Sequence, residues 1–389
     1  MNASMPTFYG DAGPAVIALG NVSQNGVTLG VELVATSNGS CLSNSSSDEY
    51  EAFYMTARYV TGLIIYPMLC ITGITGNVLS GIVLSHRNMA TSTNVYLTAL
   101  TVSDTIKLFN DLMYFINLAL SLNHPNVSET MMMTYYPLAH YIFNMSVSVT
   151  GWLTVSVAVE RYISVCHISR AKQLCTIPRA RIVCTTVYIT MILLSLPSLF
   201  RYKVEIVFDA VNNVSCNKIG PTALALNSSF MVPYTWMQNC MRCIIPVFVL
   251  IYLNTRIINE LRKERVKGKK LSSRNRITLM LIVIILVFVV CFTPDAVIST
   301  FFGKGYAEEG NLTKGIREIT DSLLAVNSAL NFSLYCLLSQ VFRETFLRIF
   351  CPCQPNRRNR MSVRNGTTTV IRRDSKEMNH NNDKSETYV

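Results

Sequence analysis

YYPLAHYIFNMSVSVTGWLTVSVAVERYISV, residues 135–165, contains no acidic or basic side chain except His140 until it meets Glu160-Arg161. A helix needs roughly 20 apolar residues to cross a bilayer. This stretch is longer, which predicts a tilted span or one that runs on into water. Within lipid every backbone N–H and C=O must be satisfied inside the segment, so the stretch is read as a helix. Six more stretches of the same kind flank it, at 59–84, 95–120, 182–200, 232–257, 277–302 and 316–338. The expected fold is an all-α membrane protein, a seven-transmembrane helix bundle.

Composition agrees. Of the 389 residues 50% are hydrophobic and 15% charged, against about 25% charged in soluble domains. The net charge of +11 sits in short segments between spans and in the tail. That is a topological pattern, and no nucleic-acid partner is expected from it. Among the twelve cysteines no zinc-type spacing occurs.

Lysine and arginine orient the bundle. Segment 256–276 carries nine of them against two acids, and the first 57 residues carry none. The N-terminus is therefore expected outside and the C-terminus in the cytoplasm. Asn-X-Ser/Thr sequons at Asn2, Asn21, Asn38, Asn44, Asn126, Asn213, Asn227 and Asn311 mark all four expected outside segments as a glycoprotein's would be. The expected organisation is an extracellular glycosylated N-terminus at 1–57, the bundle at 58–340, an amphipathic helix with a Cys anchor at 341–353 and a disordered cytoplasmic tail at 354–389. A multi-pass plasma-membrane protein is expected. The first residues show no basic-then-apolar leader, so the first span is expected to act as insertion signal.

Motifs narrow the class. In chain order they are Gly76-Asn77-Val78, Asp104, Glu160-Arg161-Tyr162, Cys291-Phe292-Thr293-Pro294, Asn331-Phe332-Ser-Leu-Tyr335, and Phe342-Arg343 with Phe346. Together they resemble the rhodopsin-like (class A) G-protein-coupled receptors over about 58–353. Finer runs resemble the invertebrate FMRFamide-type neuropeptide receptors: Tyr135-Tyr-Pro-Leu-Ala, Val157 to His167, 174–181, and Asn327 to Phe332. The resemblance implies that Glu160 restrains Arg161 until a heterotrimeric G protein takes it, with Tyr162, Asn254, Asn331 and Tyr335 in the switch. It also implies an allosteric sodium ion at Asp104, Thr150, Asn327 and Asn331, and no other cofactor. Pro294 removes a helix hydrogen bond, giving the sixth span a hinge.

Several positions depart from the family pattern. Phe292 stands for the usual Trp, Phe332 for Pro, and Asn254 eight residues after Pro246 for a frequent Tyr. Tyr136 stands where the third span usually has a disulfide-forming Cys, leaving Cys41 and Cys216 as the pair expected to bridge in the oxidising exterior.

Charges inside spans mark function by default. Asp104, Lys107 and Asp111 share one helical face, so Lys107 neutralises either Asp104 or Asp111. Arg242 and Asp295 either simply pair with each other, or Asp295, Asp111 or Asp321 receives a cationic ligand group. With Tyr114, His140, Phe143, Asn144 and Phe292 these form the candidate ligand set. Ala325 excludes the opsin Schiff base and Phe143 the monoamine anchor. The implied ligand is a short amidated extracellular peptide; another peptide or small molecule stays open. On the inner side the resemblance implies arrestin at tail phosphosites. Cys351 and Cys353 are candidate lipidation sites in contact with membrane lipid, and Thr387 to Val389 fits a PDZ ligand. A transporter would show internal repeats and an enzyme a catalytic motif; neither is seen, so no enzymatic activity is expected.

Overall fold

The computed structural model describes residues 50–209, 214–266, 273–302 and 309–351. Seven long helices follow one another up and down. They are α1 (Glu51–Leu84), α2 (Ser92–Asn123), α3 (Pro125–Cys166), α4 (Ile177–Leu199), α5 (Ser228–Asn239, Cys240–Ile244 and Ile245–Val266 in unbroken sequence), α6 (Ser273–Phe301) and α7 (Asn311–Leu338). The short α8 (Gln340–Phe350) follows. Strands β1 (Tyr202–Asp209) and β2 (Val214–Pro221) form an antiparallel hairpin between α4 and α5, with Tyr202 opposite Pro221.

All seven helices start before their apolar stretches, α4 at Ile177 and α7 at Asn311 included, because polar residues outside lipid still form backbone bonds. The largest difference is α3, which starts at Pro125 rather than 135. Only His124 separates it from α2; Pro125 needs no N–H donor at a helix start. The buried Ser128 hydroxyl donates to the Asn117 carbonyl at 3.0 Å, tying the corner. The hairpin was missed because its alternation at 202–206 is short, and its exposed Val204 and Ile206 build no core.

Among the described residues, six helices are long and apolar enough to cross a membrane by length and composition. The exception, α2, is 32 residues long but carries Asp104, Lys107 and Asp111, all buried against its neighbours. Helix α3 is the axis: 72% of its apolar window is buried, against 22% for α4. A single apolar cluster joins Leu100 on α2, Val149 and Leu153 on α3, Cys184 on α4, Leu281 on α6, Tyr335 on α7 and Phe342 on α8.

Small residues set the closest approach, since in lipid helix association depends on van der Waals fit. A Cβ on Gly73 would fall 2.6 Å from Leu108 and 3.0 Å from the Ala329 backbone; one on Gly76 would fall 2.8 Å from Phe332. That space admits Phe332 where the family has Pro, and its ring meets Phe342 and Phe346 of α8 edge-on at 6.1 and 5.7 Å. At the hairpin end, Tyr136 meets Tyr202 at 5.2 Å, and His140 meets Tyr202 at 5.3 Å. This aromatic cluster joins α3 to the hairpin where the family uses a disulfide.

Gly73→Val forces apart α1 and α7 at a backbone contact. Overpacking costs about 1–3 kcal/mol, so the detergent-purified variant should melt several degrees lower. Gly81→Val, whose added atoms face only Thr101 at 3.7 Å, should melt within about a degree of the parent, the scale of a neutral site.

Candidate functional site

A cavity of about 320 Å³ opens at the hairpin end, between α1, α2, α3, α5, α6 and α7. Seven of the nine expected ligand residues line it: Asp111, Tyr114, His140, Phe143, Asn144, Arg242 and Asp321. Phe292 and Asp295 do not. Phe292 is buried and stacks on Phe288 at 3.8 Å, inside the apolar cluster between α3, α5 and α6. Asp295 has no exposed surface and is covered by Arg242.

The covering arises from local structure. Arg242 lies in the π-helical turn Cys240–Ile244, four residues before Pro246. Such turns displace the regular i→i−4 bonds and concentrate at functional sites. The Met241 carbonyl accepts from Trp152 Nε1 at 2.8 Å, and Gly151 leaves room for the Arg242 carbonyl, 3.2 Å from where a Cβ would stand. The Arg242 guanidinium then donates to Asp295 Oδ2 at 2.9 Å, Ser299 Oγ at 2.7 Å and Asn144 Oδ1 at 3.0 Å. Ser299 donates to Asp295 Oδ1 at 3.1 Å and accepts from Arg317 at 3.3 Å. Ser299, which nothing in the sequence marks out from the other serines, therefore joins α5, α6 and α7 one turn beyond Pro294. Of the two open alternatives for Arg242 and Asp295, the pair is the one that forms. Lys107 likewise resolves to Asp111, at 2.5 Å.

Halfway down, Asp104 is fully buried. It accepts from Thr150 at 3.1 Å and Ser328 at 3.0 Å on Oδ1, and from Asn331 at 2.7 Å on Oδ2. Three of the four residues expected here converge. The fourth, Asn327, is buried but is displaced in this role by Ser328, because the helical twist turns the next residue toward α2. Asn77 fixes that turn by donating to the Ser328 carbonyl at 3.0 Å. The Asp104 carboxylate with the hydroxyl oxygens of Thr150 and Ser328 offers oxygen ligands of the kind a hard cation takes, while Asn331 meets Asp104 through its Nδ2.

At the opposite end Glu160 and Arg161 pair at 2.8 Å. Glu160 Oε1 also accepts from Ser92 at 2.7 Å and Thr93 at 2.8 Å, and Arg161 donates to Thr93. These two α2 hydroxyls carried no signal in the sequence beyond being polar at a helix start. Among the described residues, buried Glu160 Oε2 and Arg161 Nε have no hydrogen-bond partner. The latch is thus only partly satisfied. Nearby, Tyr162 Oη lies 3.4 Å from His167; Asn254 and Tyr335 are buried, with Asn254 Oδ1 and Tyr335 Oη unpartnered among the described residues.

Of the sequons, Asn126 and Asn227 are exposed and Asn311 half-buried at the start of α7. Asn2, Asn21, Asn38, Asn44 and Asn213 lie outside the described residues, as do Cys41, Cys353, Thr387 and Val389. Cys216 sits on β2 opposite Val207, so the expected pairing with Cys41 falls outside what is described. Cys351 is exposed just after α8.

A helix bundle with a buried polar centre, a charged cavity at one end and an Arg latch at the other is the architecture of a multi-pass membrane receptor. The family model described as 7 transmembrane receptor (rhodopsin family) matches residues 76–335, more than half the chain. The protein therefore belongs to the rhodopsin-like, class A G-protein-coupled receptors, and is a receptor rather than an enzyme. It is 26% identical to sex peptide receptor-related protein 2 of Caenorhabditis elegans over 328 residues, covering 74% of this chain and 71% of that one. It is 26% identical to somatostatin receptor type 1 of Rattus norvegicus over 299 residues, covering 74% and 71%. Against the FMRFamide receptor of Drosophila melanogaster it is 25% identical over 312 residues, covering 75% of this chain and 54% of that receptor.

Removing one member of a buried ion pair costs about 3–5 kcal/mol, whereas replacing both by apolar groups is often neutral. Arg242→Ala should therefore lower the melting temperature of the purified protein strongly. Arg242→Met with Asp295→Leu should recover most of the loss. Equal losses in both would show that the pair contributes through packing alone.

Proposed function

We propose that this chain is a plasma-membrane receptor for a short amidated neuropeptide of the FMRFamide type, activating a heterotrimeric G protein. The observation that carries this reading is the cavity at the hairpin end, whose wall holds both signs of charge among tyrosines and methionines. Such a wall suits a ligand with an ionised group and large apolar side chains. The names of the FMRFamide and sex-peptide-related relatives favour a peptide. The positive segment 256–276 and the sequon pattern support an outside N-terminus and an outside cavity.

In this reading Arg161 is the group that the G protein takes, and the Glu160, Ser92 and Thr93 contacts hold it back. Asp104 with the Thr150 and Ser328 hydroxyls would hold a sodium ion, which would favour the resting arrangement by tying α2, α3 and α7 together. The tail recruits arrestin through phosphorylated Ser and Thr and a PDZ domain through Thr387 and Val389. Cys351 and Cys353 carry lipid that anchors α8 to the bilayer. Glycans on the outside sequons complete the mature receptor.

Cells expressing the chain and challenged with a panel of amidated peptides should respond in calcium or cAMP at submicromolar concentration. Silence across the panel would remove the peptide assignment. Thr93→Val deletes a hydroxyl that serves both Glu160 and Arg161. A lost hydrogen bond to a charged group is worth about 1.5–3 kcal/mol, so basal guanine-nucleotide exchange should rise several-fold at unchanged surface expression. Unchanged basal exchange would place the restraint elsewhere.

A further inference from the structure

The acids inside the bundle are matched one by one, except in one place. Asp104 takes three donors. Asp111 has Lys107 at 2.5 Å, Asp295 has Arg242 at 2.9 Å, and Glu309 has Arg317 at 2.6 Å. Glu318 accepts from Tyr114 at 2.9 Å and Thr61 at 3.4 Å. Asp321 differs: it lines the cavity, and its Oδ1 is buried with no hydrogen-bond partner among the described residues. Arg317, one turn earlier on α7, gives its hydrogen bonds to Glu309 and Ser299 rather than to Asp321.

The cations of the wall are committed as well. Arg242 and Arg317 each spend their charge on a buried acid. Arg58 and Arg201 are engaged too, Arg201 lying 5.6 Å from the Tyr202 ring centre. Of the wall acids, Asp321 is then the one with neither an ion pair nor a hydrogen bond among the described residues. Asp321 as a residue is half-buried, but its Oδ1 is shielded from water, and shielded polar atoms are otherwise nearly always satisfied.

We infer that Asp321 is the charge anchor of the cavity: it receives a guanidinium or ammonium group of the ligand, while Asp111 and Asp295 serve their own lysine and arginine. A free carboxylate placed beside this anchor would meet like charge, which selects against such a ligand. The inference deepens the peptide reading, but the anchor is testable without it.

The first arm uses a fragment. N-acetyl-argininamide at millimolar concentration should raise the melting temperature of the purified receptor, and the neutral isostere N-acetyl-citrullinamide should not. Asp321→Asn should abolish the difference, and should itself melt no lower than the parent without ligand, because it removes an uncompensated charge. No discrimination by the parent, or the same discrimination in Asp321→Asn, overturns the anchor. The second arm uses Phe-Met-Arg-Phe-amide. Replacing its Arg by citrulline should lower potency on the parent on the order of 30-fold, the scale of one charge-assisted bond, and less than about threefold on Asp321→Asn. Equal drops on both overturn the anchor. A parent that responds to no peptide removes the peptide reading, and the fragment arm still decides Asp321.

Discussion

Charges taken into a bilayer must be matched by the protein that takes them, since hydrocarbon supplies neither water nor counter-ions. This constraint organises the bundle. Lys107–Asp111, Arg242–Asp295 and Arg317–Glu309 cancel within pairs, Asp104 is held by three donors, and Glu160 by Arg161 with two hydroxyls. Arg242–Asp295, the donors to Asp104 and the two hydroxyls on Glu160 cross between helices. They fix which faces meet, in a medium where burying apolar surface gives no preference between lipid and a neighbouring helix.

The contacts are also unequal, and the inequality follows the helix axis. At the hairpin end Ser299 binds α5, α6 and α7 together just beyond Pro294, where α6 lacks a backbone bond. Beneath it Phe292 and Phe288 stack within the core. At the far end Glu160 and Arg161 each keep a buried atom without a partner. A firmly held upper segment, a proline hinge and a partly satisfied latch leave the inner ends of α6 and α3 the least restrained, which is where a second arrangement would cost least. A receptor needs that property, because a ligand shifts an equilibrium only by its differential affinity for two states.

The departures from the family pattern have contacts of their own. Tyr136, where a disulfide Cys is usual, packs with Tyr202 and His140 and holds the hairpin by ring contacts. Phe332, where Pro is usual, fills the space left by Gly76 and reaches α8. Each exchange keeps a junction and changes its chemistry. A covalent tie becomes aromatic packing, and a backbone kink becomes side-chain filling.

The all-α membrane class, seven spans and the receptor family were legible from the chain alone, because lipid demands long apolar helices and the motifs stand at fixed places along them. So was the list of intramembrane charges, including Asp104, Asp111, Asp321 and Arg242, since any such residue is conspicuous in an apolar run. Partner choice was not legible. Lys107 has acids on both sides along its helix, and only packing assigns it to Asp111. Asp295 and Asp321 look alike in sequence, yet one is covered by Arg242 and the other faces the cavity. Ser92, Thr93, Ser299 and Ser328 carry no periodic or compositional mark; a hydroxyl acquires its role from which helix stands within about 3 Å of it, and that distance is set by the tertiary fold.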